Sequence, residues 1–150
     1  VGINDTSGTE AVGGAFIYWS AAIAAHTCNV DRIVIRLSDA GTAHQVRAAI
    51  YADNGSDAPT GSPLASSSET TTTAGDGVAE DVTVTLGSTV SITQGTKYWI
   101  GQAHSDTASS VMYQHFQDGS TNSGYQSWTY HATNAFPTAS MSVWSREFSQ

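Results

Sequence analysis

Lysine is nearly missing from this chain, and that scarcity is the first constraint on its partners. Lys97 is the only one; with four arginines (Arg32, Arg36, Arg47, Arg146) it faces thirteen acidic residues, for a net charge of −8. Neutralising a phosphate backbone takes clustered Lys and Arg. Here the basic residues are dispersed, so nucleic acid is excluded. Arg32 and Arg36 share one strand face, where two charges among neutral neighbours read as solvated surface. Cys28 stands alone, so no internal disulfide forms. No apolar run reaches the roughly 18 residues of a membrane-spanning helix, so helical membrane insertion is not expected. Charged residues of every kind make up only 12%, far fewer than the solvated faces of a helical domain require. No signal peptide is recognisable, and a start at Val1 is compatible with Met removal, a processed precursor or a domain of something longer.

Ser, Thr, Gly, Ala and Asn fill the space that charge leaves. Thr, Val, Tyr and Trp suit pleated, half-buried surfaces, which points to an all-β protein. The 150 residues are most simply one domain that buries roughly 70% of its unfolded surface. Residues 1–13 are polar, Gly-rich and aperiodic and read as an N-terminal arm or linker; residues 14–150 read as the domain. Asn4 and Asn54 head two sequons, which matter only in a glycosylating host.

Period-2 alternation carries the fold. In Gln45–Ala52, Val46, Ala48, Ile50 and Ala52 alternate with Gln45, Arg47, Ala49 and Tyr51, a strand with one buried face. It runs into Asp53-Asn54-Gly55 and a long turn holding Pro59, Gly61 and Pro63. In Val30–Leu37, Ile33, Ile35 and Leu37 oppose Arg32, Val34 and Arg36. Phe16–Trp19 favours a buried strand, and the run Ser66–Thr73 reads as an exposed edge strand, because threonine is β-branched. Val82, Val84 and Leu86, then Val90 and Ile92, then Tyr98–Ala103, Ser110–Phe116 and Ala139–Phe148 supply further segments. About eight to ten short strands, with turn signals every ten residues or so, predict a two-sheet antiparallel β-sandwich.

The stretch IYADNGSDAPTGSPLASS, a Thr/Gly segment, VTVTL and then ITQGTKYWIG resembles a jelly-roll-type β-sandwich domain of bacterial surface or secreted proteins and of phage virion proteins. Those domains carry a Tyr-x-Asp-Asn-Gly…Pro-Gly…Leu strand-turn, matched by Tyr51, Asp53, Asn54, Gly55 and Leu64. They also carry a Gly-Thr-x-Tyr-Trp strand, matched by Gly95, Thr96, Tyr98 and Trp99. The likeness covers about residues 30–104 and departs where Pro59-Thr60-Gly61 replaces Pro-Gly. It implies a jelly-roll-like fold and an extracellular or virion-surface location rather than an activity.

Signatures of catalysis are thin. No Gly-x-Ser-x-Gly elbow occurs, and Gly119–Gly124 has the wrong spacing. The five histidines (His26, His44, His104, His115, His131) show no His-x₃-His spacing, and His26 with Cys28 gives two zinc-capable ligands where a structural site takes four. Glu80 and Asp81, adjacent on a strand, point to opposite faces and make a poor glycosidase pair. The chain therefore reads as non-catalytic, with no cofactor required. Calcium is the one candidate metal: Asp53, Asn54 and Asp57 gather oxygen ligands in a tight turn, though without the Glu and spacing of an EF-hand. The competing reading is an Asx-turn with a positive-φ Gly55.

Gly119–Pro137 carries the functional signal. Gly, Ser, Thr and Asn alternate with Tyr125, Trp128, Tyr130, His131 and Phe136, the mixture of rigid aromatics and small polar groups that adaptable binding loops use. A flat ring covers the C–H face of a pyranose while amides bond its hydroxyls. Tyr125, Gln126, Trp128 and Tyr130 are thus the candidate contacts for a glycan; the competing reading has Trp128 and Phe136 plug the open end of the sandwich. A structural component that pairs with neighbouring subunits, including copies of itself, is the other function expected of such a chain.

Overall fold

A computed structural model describes residues 8–12, 16–39, 43–72, 80–105, 112–116, 123–127, 135–139 and 142–143. Among them, eleven strands form two antiparallel sheets, as the composition predicts. The four-stranded sheet has the order β1 (Gly8–Val12), β9 (Met112–Phe116), β3 (Cys28–Asp39), β7 (Glu80–Ile92). The seven-stranded sheet has the order β11 (Ser142–Val143), β10 (Ser123–Ser127), β2 (Phe16–Ile23), β8 (Lys97–His104), β4 (Gln45–Asp53), β5 (Pro59–Ser66), with β6 (Thr70–Thr71) also on β4. The chain changes sheet at most of its connections, so neighbours within a sheet are mostly non-consecutive in sequence.

Alternation places the first core between the sheets. Ile33, Ile35 and Leu37 of β3 and Val82, Val84 and Leu86 of β7 face Val46, Ala48 and Ile50 of β4. Each such side chain contributes about 1.5–3 kcal/mol when fully withdrawn from water. The opposite face of β3 and β7 is solvated: Val34 is exposed, and Arg36 donates to Asp81 at 2.7 Å. The β3–β7 register shifts between Val30 and Arg32, which lets Val30 pack on the same core as Ile33 despite the odd spacing. At one side the two sheets meet, because Ser67 bridges Leu86.

A second core lies where a solvated face was expected. Every residue of β4 from Val46 to Tyr51 is buried, not alternate ones. On the outer face of the seven-stranded sheet, Ile17 and Trp19 of β2, Ala49 and Tyr51 of β4, and Trp99 and Ala103 of β8 join Phe136 in one cluster. β4 is therefore central in both senses: paired with β8 on one edge and β5 and β6 on the other, and covered on both faces.

Three local expectations change. Pro59–Ser66, expected as turn, is strand β5; its two prolines fit because β5 ends the sheet and need not donate outward. Gly8–Val12, expected in a free arm, is strand β1, paired with β9 from Gly8↔Phe116 to Val12↔Met112. The rest of residues 1–13 lies outside the described residues. In the Thr run, Thr70 and Thr71 pair with Val46 and Gln45, but Thr72 is buried and bonds the His44 backbone rather than lying exposed.

Candidate functional site

Two described features and one partly described segment bear on function. The first is the turn after β4. Asp53 accepts from Gly55 N through Oδ2 (2.7 Å), and Asn54 Oδ1 accepts from Ser56 N (2.7 Å) and Ala58 N (3.2 Å). These are successive Asx-turns, with Gly55 and Asp57 at φ 80° and 59°. The second oxygen of Asp53 accepts from the Trp99 indole at 2.7 Å, and Asp57 is ion-paired with Lys97. That pairing raises the Lys97 pKa above its ordinary value. The oxygens proposed for calcium are thus bonded within the turn and to β8, and a cation there would displace Trp99 or Lys97. Among the described residues, no group of three or more His, Cys, Asp or Glu side chains gathers as metal ligands.

The second feature is the outer aromatic layer and the segment that crosses it. Trp19 and Tyr51 meet edge to face at 4.7 Å between centroids. The six-membered ring of Trp19 lies on Gly101, where a Cβ would stand 2.8 Å from Cζ3. Residues 135–139 run over this layer as a strap fixed at three points. Tyr51 Oη donates to Pro137 O at 2.8 Å, Ala139 N donates to Gly61 O at 2.9 Å, and the Arg47 guanidinium sits 5.3 Å from the centre of the Phe136 ring. Arg47 also donates to Ser67 O through Nε (3.4 Å) and a terminal nitrogen (3.3 Å). Burial pushes the Tyr51 hydroxyl well above its ordinary pKa, so it is a donor throughout the neutral range.

On the inner face, the end of the core near His44, Gln102 and His104 is polar and buried. His104 is fully enclosed beside Tyr18, with ring centroids 6.1 Å apart. Burial, then the neighbouring His44, lowers its pKa to about 3, so the ring is neutral at physiological pH.

The partly described segment contains the predicted contacts. Tyr125 and Gln126 lie on β10, where strand pairing sets them opposite Tyr18 and Ile17 of β2. Trp128 and Tyr130 lie outside the described residues. Phe136 is placed, but on the outer face of the seven-stranded sheet instead of at an open end of the sandwich. Sequence reasoning passed over Trp19, Tyr51, Trp99 and Arg47 as a group. The available signal was that Ile17/Trp19, Ala49/Tyr51 and Trp99/Ala103 are each spaced by an even number, so each pair shares a face with the other strands' pairs once the sheet is ordered. No helix among the described residues is long and apolar enough to cross a membrane. No family model, curated protein or solved structure matches the chain.

Proposed function

We propose that this chain is a non-catalytic β-sandwich module that binds carbohydrate through Tyr125, Gln126, Trp128 and Tyr130, in an extracellular or virion-surface setting of the kind the jelly-roll resemblance implies. The observation that carries the reading is the anchoring of the aromatic-rich segment at both ends. On its N-terminal side Ser127 pairs with Phe16 in the sheet; on its C-terminal side Phe136 is buried against the outer layer. Residues 128–134 are tethered between two fixed points, which lowers the ordering cost of binding. The non-catalytic part is supported by the carboxylates. Asp31 bonds Arg32, Asp53 bonds Trp99, Asp57 bonds Lys97 and Asp81 bonds Arg36, all in structural pairings.

The test is a glycan array probed with the wild-type chain and with Trp128→Ala, in calcium-containing buffer. Capture by the wild type that the variant loses supports the module and its site. Capture that the variant retains removes Trp128 from the site.

Self-association with neighbouring subunits is the second reading, and the position of β1 at the end of the four-stranded sheet favours it. Strand ends of sheets are where further strands add. Silence of both proteins on the array, with a mass that rises with concentration in sedimentation velocity, would select that role.

A further inference from the structure

Trp19 is 2% exposed, yet its indole Nε1 has no hydrogen-bond acceptor. Native interiors rarely leave such a donor unsatisfied, and each instance asks for an explanation. The other indole of the layer shows what satisfaction looks like, since Trp99 Nε1 donates to Asp53. Packing fixes the Trp19 ring: its six-membered half rests on Gly101 and its face meets the edge of Tyr51. The pyrrole edge bearing Nε1 points away from Gly101 and is left to a partner outside the sheet.

We propose that the outer aromatic face of the seven-stranded sheet is a saccharide-ring floor, and that strap 135–139 occupies it as an internal mimic of the ligand. The inference rests on the carbohydrate reading above and adds a second subsite to it. The contacts made by the strap are those a pyranose makes. A carbonyl oxygen, Pro137 O, takes the Tyr51 hydroxyl proton, and a flat apolar ring, Phe136, lies against the Arg47 guanidinium. A sugar on the floor replaces the first with a ring or hydroxyl oxygen and the second with its C–H face. It also brings an acceptor to Trp19 Nε1, which the strap does not provide. Binding is then coupled to displacement of the strap, whose remaining tether is the single backbone bond from Ala139 N to Gly61 O.

The experiment applies four full-length proteins to one glycan array: wild type, Trp19→Phe, Phe136→Ala and Ala139→Pro. Circular dichroism first establishes that each is folded. Ala139→Pro removes the strap donor without touching the floor, so it stands in if Phe136→Ala fails to fold. Loosening the strap is expected to strengthen capture about tenfold, the equivalent of one desolvated cation–π contact. Trp19→Phe keeps a ring, loses the N–H and is expected to weaken capture about fivefold. If wild type captures a glycan and none of the three variants shifts it, the floor is overturned while the site at Trp128 stands. If no protein of the four captures any glycan, the floor and the carbohydrate reading fail together.

Discussion

Alanine at position 101 should destabilise this protein, although the ordinary expectation for a strand interior is the reverse. Replacing Gly by Ala in a strand lowers the entropy of the unfolded chain and is usually favourable by about 0.5–1 kcal/mol. At Gly101 the new methyl would stand 2.8 Å from Trp19 Cζ3, 3.1 Å from Cη2 and 3.2 Å from Ile17 Cγ2. Neither neighbour can withdraw, since Trp19 is wedged against Tyr51 and Ile17 is fully buried. Overpacking of this kind costs about 1–3 kcal/mol, which outweighs the entropic gain. With an urea m-value of about 2 kcal/mol per molar, the midpoint of unfolding should fall by about 0.5–1.5 M. Trp19→Phe removes the two far ring atoms that meet the methyl. In a double-mutant cycle, Gly101→Ala on the Trp19→Phe background should therefore cost at least 1 kcal/mol less, roughly, than on the wild type. An unchanged or raised midpoint for Gly101→Ala would refute the close packing of Trp19 on the sheet.

Three further outcomes follow from the described contacts. His104 has a folded-state pKa of about 3 against 6.5 for the free side chain, so between those values only the unfolded chain takes up its proton. Its stabilising contribution is complete above pH 6.5 and is lost as pH falls towards 3, at about 1.4 kcal/mol per unit; urea midpoints at pH 7, 6 and 5 should decline, and His104→Gln should flatten that decline. Asp53→Ala removes acceptors from both Trp99 Nε1 and Gly55 N and should cost about 1.5–3 kcal/mol, with Asp53→Asn costing clearly less because it keeps an acceptor oxygen. Tyr51→Phe deletes only the bond to Pro137 O and should cost about 1 kcal/mol in chemical denaturation, and a neutral result would detach the strap from Tyr51.

The inner core was legible because β3 and β7 each have one wet face. Ile33, Ile35 and Leu37 alternate with Arg32, Val34 and Arg36, and period 2 reads directly as in and out. In β4 the same reading failed. Ala49 and Tyr51 sit out of phase with Val46 and Ala48, and nothing in QVRAAIYAD says that a later segment returns to cover them. Burial of a second face depends on residues 86 positions away, as in the Tyr51–Pro137 bond, and periodicity within a strand carries no such information. Arg47 made the outer face look solvated, yet its guanidinium is enclosed by the Ser67 carbonyl and the Phe136 ring. The Asp53 turn was readable for the opposite reason, because Asx-turns are local and bond residues two positions on. β5 was misread as turn because Pro and Gly outweigh strand propensity in sequence; an edge position removes the objection to both.

The most direct test of the carbohydrate reading follows the indole N–H signals in a two-dimensional NMR titration of the chain with the glycan that the array selects. The chain has four tryptophans, and Trp128→Phe assigns one of the four signals. The account predicts that the Trp128 signal moves with saturating dependence on glycan, while that of Trp99, bonded to Asp53 beneath the strap, stays in place. A glycan that shifts the Trp99 signal and leaves Trp128 unmoved, or an array with no glycan to titrate, would contradict it.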